Sequence, residues 1–233
     1  MSKTNPRPWR RRLKRLLWAV LGLVALGLVG AGAWYKSEIL DNPGEHMTPK
    51  AIQDVIAQES PVLYRDGKTR IGVFFNREHR EYVPFNQIPQ AWTEAIVASE
   101  DKSYWSHPGI DVFGIARAMR QNIAARRLVA GGSSLTQQTA KNLFYRPDRS
   151  LKSKWSELVN ALKLEAHYSK GDILEFYANQ FHVNSNGRGL GIAARYFFDK
   201  QPQELSIVEC AFIAGMVKGP RHYNPFIGSQ AKK

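Results

Sequence analysis

The sequence predicts a mainly α domain with a small β-hairpin element at its entry, preceded by one transmembrane helix. Three observations carry that expectation. Leu16 to Tyr35 run for 20 residues without a charge. Between residues 61 and 85 short runs of β-branched and aromatic residues flank turn residues. From Ile88 onward the apolar positions fall mostly at helical spacing, with cap residues ahead of them.

The elements follow in order. Residues 1–15 form a basic tail holding Lys3, Arg7, Arg10, Arg11, Arg12, Lys14 and Arg15 and no acid. Residues 16–35 form the transmembrane helix, because about 20 apolar residues span a ~30 Å hydrocarbon core. Trp18 and Trp34 sit near its two ends, where indoles favour the interface. The positive charge holds the tail in the cytoplasm and places the remainder outside. The rival reading is a cleaved signal peptide, since Ala31-Gly32-Ala33 fits a small-residue cleavage site. The apolar run exceeds a usual signal core of about 7–15 residues, which favours the anchor.

Residues 36–60 read as a linker and a short helix. Pro43 and Gly44 mark the linker, and Thr48-Pro49 forms an N-cap and first helical residue of a helix to about Gln58. Residues 61–220 are the main domain, opening with strands at Val62–Tyr64, a turn at Asp66-Gly67, Arg70–Phe75 and Tyr82-Val83. Helices are expected over Ala91–Ser99, from an Asp111 cap to about Ala125, and from Ser133 or Ser134 through Phe144. Further helices cover Leu151–Tyr168, Ser169 to about Asn179 with Asp172 completing a capping box, Gly191–Phe198 and Glu204–Val217. Residues 221–233 are a polar tail.

Lys and Arg total 33 against 20 Asp and Glu, a net charge of +13. That excess implies an anionic partner: nucleic acid, anionic lipid or a phosphate-bearing substrate. The membrane segment favours the last two, and no helix-turn-helix, RNA-recognition or zinc-finger pattern supports nucleic acid. The single Cys210 permits no intramolecular disulfide and, inside an apolar run, reads as a packing residue. His46, His79, His107, His167, His182 and His222 lack ligand spacing, so no dedicated metal site is expected.

Three constellations carry candidate chemistry. In Ala98 to Asp111 an apolar helix delivers Glu100 and Asp101 to an aromatic-rich turn with His107 and Gly109. A carboxylate so placed is partly desolvated, which makes it a better proton acceptor near neutral pH; the plainer alternative is a solvated helix end. In Gly131 to Asn142 two glycines precede hydroxyls at a helix start, where free N–H groups and the helix dipole suit a phosphate. Gln137 and Lys141, four apart, share a face there, although an ordinary capped polar helix fits the same pattern. The spacing does not match the Gly-x-x-x-x-Gly-Lys-Ser/Thr nucleotide loop. In Arg149 to Glu165 basic residues precede Glu157 on a long helix with apolar positions at Leu158, Ala161, Leu162 and Leu164. Glu157 is a candidate electrostatic or acid/base group, or a member of a surface salt-bridge helix.

In this order and spacing the patterns resemble the glycosyltransferase family 51 module of peptidoglycan polymerases, over about Ile88 to Pro220. Glu100-Asp101-x-x-Tyr104-x-x-His107-x-Gly109-x-Asp111 is similar to the first motif of that family, and Gly132-Ser133-Ser134-Leu135-Thr136-Gln137-Gln138-x-x-Lys141-Asn142 to the second. Lys154-Trp155-Ser156-Glu157 resembles the Lys-x-x-Glu of the third, and Ile173-Leu174-Glu175-Phe176-Tyr177-Ala178-Asn179 the stretch after it. Ala193 to Lys200 resembles the following helix.

The resemblance implies a lysozyme-like α fold at the bacterial inner membrane, single-pass, N-terminus cytoplasmic and catalytic domain outside, with a small mobile lobe that helps hold the lipid. It implies transfer of a growing lipid-linked glycan onto the 4-hydroxyl of lipid II, with inversion to a β-1,4 bond and release of undecaprenyl diphosphate. Glu100 is then the general base and Glu157 the second carboxylate. Lys141 and Arg149 bind the donor diphosphate, Ser133 and Gln137 line the same cleft, and Lys154 is a further substrate-binding residue. No cofactor is required, with a divalent cation (Mg or Mn) as an auxiliary. Partners are lipid II, the lipid-linked glycan, the membrane and other cell-wall synthesis or division proteins. The rival readings are a weakened lipid II-binding scaffold and a lytic muramidase on the same fold.

The sequence departs from the family where Ser153 replaces an Arg before Lys154 (leaving Lys152 to substitute), where Gly191 replaces an acid, and in the loop Asn184 to Arg188. The sequence ends at Lys233 with no transpeptidase domain, so no penicillin-sensitive activity is expected of it.

Overall fold

The computed structural model describes residues 8–57, 60–65, 70–74, 79–127, 131–144, 148, 150–184 and 187–219. The chain divides into two units, Met1–Pro43 and Gly44–Lys233. The first unit holds α1 (Pro8–Trp34), 27 residues or about 40 Å at the α-helical rise, and continues as a wider π-type turn over Tyr35–Leu40. The helix starts a little over two turns before the expected apolar run, because Arg, Lys and Leu are good helix formers and Pro8 is tolerated at a first position. Its Leu and Val side chains from Leu16 to Val29 are exposed, and the helix is long and apolar enough to cross a membrane.

The second unit is mainly helical. Its elements are α2 (Pro49–Ile56), β1 (Ser60–Leu63), β2 (Arg70–Phe74), β3 (His79–Arg80), α3 (Gln90–Glu100), α4 (Val112–Ala125) and α5 (Leu135–Leu143). Then come α6 (Leu151–His167), α7 (Lys170–Ala178), β4 (His182–Asn184), β5 (Gly187–Arg188), α8 (Gly189–Phe198) and α9 (Ile207–Lys218). The helix starts follow their caps. The Thr48 hydroxyl accepts from the Ala51 N–H at 3.3 Å and the Asp111 carboxylate from the Gly114 N–H at 2.7 Å. Ser134 with Gln137, and Ser169 with Asp172, close reciprocal capping boxes.

The strands differ more from expectation. The hairpin is antiparallel, Ser60 opposite Phe74 and Val62 opposite Gly72; its turn at Asp66-Gly67 lies outside the described residues. A second sheet has the order β3-β5-β4, with β3 parallel and β4 antiparallel to β5. Tyr82-Val83, expected as a strand, is not one. The Asn179 side chain accepts from the Val83 N–H at 2.8 Å and donates to the Val83 carbonyl at 2.9 Å. Glu175 accepts from the Phe85 N–H at 2.7 Å and the Tyr82 hydroxyl at 2.6 Å. Glu175 of α7 and Asn179 directly after it thus take the Phe85 and Val83 backbone groups that a ladder would use. Burial and the bond to Glu175 push the Tyr82 phenol up to about 12.

The core forms where α3 lies against α9 and where α5 packs on α6 and α7. Trp92 stacks on Phe181 with ring centroids 5.7 Å apart, beside fully buried Tyr177 and Ile213. Each such side chain contributes on the order of 1.5–3 kcal/mol by leaving water. Cys210 is completely buried in this core, and its thiol is pushed up by that burial, in line with a packing role.

Gly191 has a steric reason. An added Cβ would stand 2.6 Å from the Glu81 carbonyl oxygen. The Glu81 carboxylate lies beside the same helix, paired with Arg195 at 2.6 and 3.0 Å.

Candidate active site

The site begins with a brace that fixes the first two motif segments together. Asp101, directly after α3, is buried and accepts from His107 Nε2 at 2.9 Å and from the Leu135 N–H at 2.9 Å. The first tie closes the loop; the second satisfies an orphan donor at the start of α5. His107 Nδ1 accepts from the Gly109 N–H at 3.1 Å, which assigns its proton to Nε2. The Ser134 hydroxyl donates to the Gly109 carbonyl at 2.5 Å.

Beneath this loop Glu165 accepts from Thr136 Oγ1 at 2.5 Å and Lys170 Nζ at 2.7 Å, and Lys170 also donates to the His107 carbonyl at 2.8 Å. The Lys170 ammonium sits 4.5 Å from the Tyr104 ring centroid, and the Tyr104 hydroxyl donates to the Lys170 carbonyl at 2.7 Å. Burial, and then the charge of Glu165, push the Tyr104 phenol up. Gly109 has φ +87, and a Cβ there would meet Glu165 Cγ at 2.7 Å.

Two cavities open above the brace. The first, about 290 Å³, is lined by Glu100, Lys102, Arg117 and Gln121 with the Gly131 to Ser134 turn. Glu100, the last residue of α3, accepts through Oε2 from Gln138 Nε2 at 3.1 Å, while Oε1 is buried with no hydrogen-bond partner among the described residues. The second cavity, about 320 Å³, is lined by Lys141, Lys152, Ser153, Glu157 and Asn160. Ser133 links the two: its hydroxyl accepts from Lys154 Nζ at 3.2 Å, and the same ammonium pairs with buried Glu157. Two carboxylates therefore stand at cavities connected through Ser133 and Lys154, with Lys141 also lining the second.

The expected site residues distribute as follows. Glu100 and Ser133 line the first cavity, Lys141 and Glu157 the second, and Lys154 ties them. Arg149 lies outside the described residues. Gln137 is buried and its amide oxygen accepts from the Ser134 N–H at 2.9 Å, so it caps its own helix rather than lining the cleft. Its neighbour Gln138 reaches Glu100 instead. The signal for this was present: Ser134-x-x-Gln137 is a capping-box spacing, which commits Gln137 to backbone.

Ser153 is buried and donates to Asp148 Oδ1 at 2.5 Å, with the Ser150 hydroxyl on the same oxygen at 2.6 Å. It supplies no cation, and Lys152 lines the cavity next to it.

A model of the transglycosylase family matches residues 67–233. The chain belongs to the transglycosylase family. Penicillin-binding protein 1A of Aquifex aeolicus (strain VF5) is 36% identical over 214 residues, covering 92% of this chain and 29% of that protein. Penicillin-binding protein 1A of Neisseria flavescens is 33% identical over 213 residues, covering 91% of this chain and 25% of that protein. This chain thus spans less than a third of the length of these relatives. As a transglycosylase it is an enzyme of the peptidoglycan glycosyltransferase kind, and the two cavities, with one of these carboxylates at each, are its candidate catalytic cleft.

Proposed function

We propose that this transglycosylase polymerises lipid II into β-1,4-linked glycan strands at the outer face of the bacterial inner membrane, anchored by α1 with its N-terminus in the cytoplasm. The observation that carries the reading is Glu100: a carboxylate on the wall of one cavity, one oxygen bonded and the other buried without a partner. An alcohol is a weak nucleophile, and a base gains rate by accepting its proton as the new bond forms. Glu100 takes the proton of the acceptor 4-hydroxyl while that oxygen attacks the anomeric carbon of the donor from the face opposite the diphosphate. The carbon–oxygen bond to the diphosphate breaks, and inversion needs no covalent enzyme intermediate.

Negative charge grows on the leaving diphosphate. Lys141 and Lys152 on the second cavity, with Lys154 and Arg149, stabilise it electrostatically. Glu157 holds Lys154 in place against Ser133. Among the described residues no group of three metal-ligating side chains gathers. Polymerisation with and without a chelator tests for a divalent Mg or Mn ion.

The surface of α4 supports the location. Val112, Phe113, Met119 and Ile123 are all more than 60% exposed, interspersed with Arg117, Arg120 and Arg126. Such a face is unfavourable in water and is accommodated at a lipid headgroup boundary.

The test is polymer formation from purified lipid II by the full chain, with Glu100→Gln expected to give no product. Normal yield from that variant would falsify the base assignment. A second reading, a scaffold that binds lipid II without turning it over, is favoured by the hydroxyl of Ser153 standing where the family carries a cation; binding without polymer in the wild type would establish it.

A further inference from the structure

We infer that Gln138 is the positioning residue for Glu100, and that Tyr177 sets Gln138 in turn. This rests on the reading of Glu100 as the base and names what aims it. The three residues come from three helices: Glu100 from α3, Gln138 from α5 and Tyr177 from α7. Gln138 Nε2 donates to Glu100 Oε2 at 3.1 Å, and the Tyr177 hydroxyl donates to Gln138 Oε1 at 3.4 Å.

The direction of the chain is fixed chemically. An ionised carboxylate only accepts, so the amide must present its N–H₂ to Glu100 and its oxygen to the phenol. Tyr177 is 1% exposed and held among Trp92 and Phe181, so its hydroxyl is a rigid reference point. Its phenol is pushed up by burial and by the charge of Glu100, and it stays a donor throughout the working pH range.

A glutamate side chain has three rotatable bonds and would otherwise sweep the cavity. The amide pins one oxygen and leaves Oε1 as the acceptor without a bond of its own. Buried acceptors in that state gain most from an approaching hydroxyl. The alignment converts flexibility into a defined attack geometry, where displacements of about 1 Å cost up to ~100-fold in rate.

The experiment compares lipid II polymerisation kinetics of the full-length wild type with Gln138→Met, Gln138→Glu and Tyr177→Phe. Gln138→Met keeps the length and removes the bond; kcat falls about 10- to 100-fold while KM stays within about twofold. In Gln138→Glu two carboxylates face each other and only one ionises readily, so the acidic limb of the pH–rate profile moves to higher pH by about one unit or more. Asp101, Lys102, Asp111 and Arg117 line the same cavity and are unchanged in each variant, so the displacement reports on position 138. Tyr177→Phe gives a smaller fall in kcat, about fivefold, as for loss of one neutral hydrogen bond.

A residue with a merely structural role would lower the melting temperature and leave the acidic limb in place. If the wild type makes no polymer, the proposed function fails. If the wild type is active and Gln138→Met turns over within about twofold of it, the positioning role fails and the function stands. Should Gln138→Met not fold, the pH profile of Gln138→Glu decides: a profile superimposed on the wild type overturns the inference.

Discussion

Glu100 and Asp101 are adjacent in sequence and serve opposite ends. Asp101 belongs to the brace below the cleft, where its carboxylate holds His107 and the first N–H of α5. Glu100 belongs to the cleft wall, with one bond to Gln138 and an unpaired buried oxygen. An unsatisfied buried acceptor costs about 1–3 kcal/mol. The brace, with Glu165, Lys170, Thr136 and Ser134 all bonded within it, offsets such a cost. A reactive group can be left under-bonded only where its surroundings are over-determined.

The largest expected effect tests that division directly. Glu100→Gln should lower polymerisation by about 10²- to 10⁴-fold, the usual contribution of a general base, while leaving the melting temperature unchanged or slightly raised. Asp101→Ala should act in the other currency. It strands His107 Nε2 and the Leu135 N–H, for a loss of about 2–4 kcal/mol in unfolding free energy. Denaturant melts of both variants check the pair. If Asp101→Ala unfolds at the wild-type midpoint while Glu100→Gln unfolds early, the roles are reversed.

Gly109→Ala is the next step down. The new Cβ meets Glu165 Cγ at 2.7 Å, and Glu165 is pinned by Thr136 and Lys170 and cannot swing aside. With the strain of φ +87, the expected cost is about 1–3 kcal/mol. A wild-type melting curve would show the brace to be softer than its hydrogen bonds imply.

What was legible in the sequence was local. Asp111, Ser134 and Ser169 announce their helices because a cap bonds only three residues ahead. The two-residue strands β3 and β5 carry no period to read, and Tyr82-Val83 has the residue types of a strand, while the groups that occupy it, the Asn179 side chain on the Val83 backbone and the Glu175 carboxylate on the Tyr82 hydroxyl, lie 96 and 93 residues away. The site divides the same way. Residue type and spacing single out Glu100, but nothing local says that Asp101 is claimed by Leu135, 34 residues on, or that Gln138 rather than Gln137 reaches Glu100.

The smallest effect sharpens where the brace ends. Asp111 accepts from the Ser103 hydroxyl at 2.6 Å and the Gly114 N–H at 2.7 Å, with Arg117 at 3.6 Å. The Ser103 bond is the largest influence holding its carboxyl below the usual range, and burial works against it. A carboxyl depressed in the folded state adds stability above its unfolded value of about 3.9, and that contribution disappears as the pH falls through the folded value. Ser103→Ala should therefore cost about 1 kcal/mol near neutral pH, with the wild-type and variant unfolding curves converging as the solution is acidified below about pH 4. Asp111 lines the first cavity as well as capping α4, so polymerisation should change by less than about tenfold, tracking folded protein rather than kcat. A gap between the two unfolding curves that widens in acid would place the Ser103 contribution outside the titration of Asp111, and would cut this loop out of the brace.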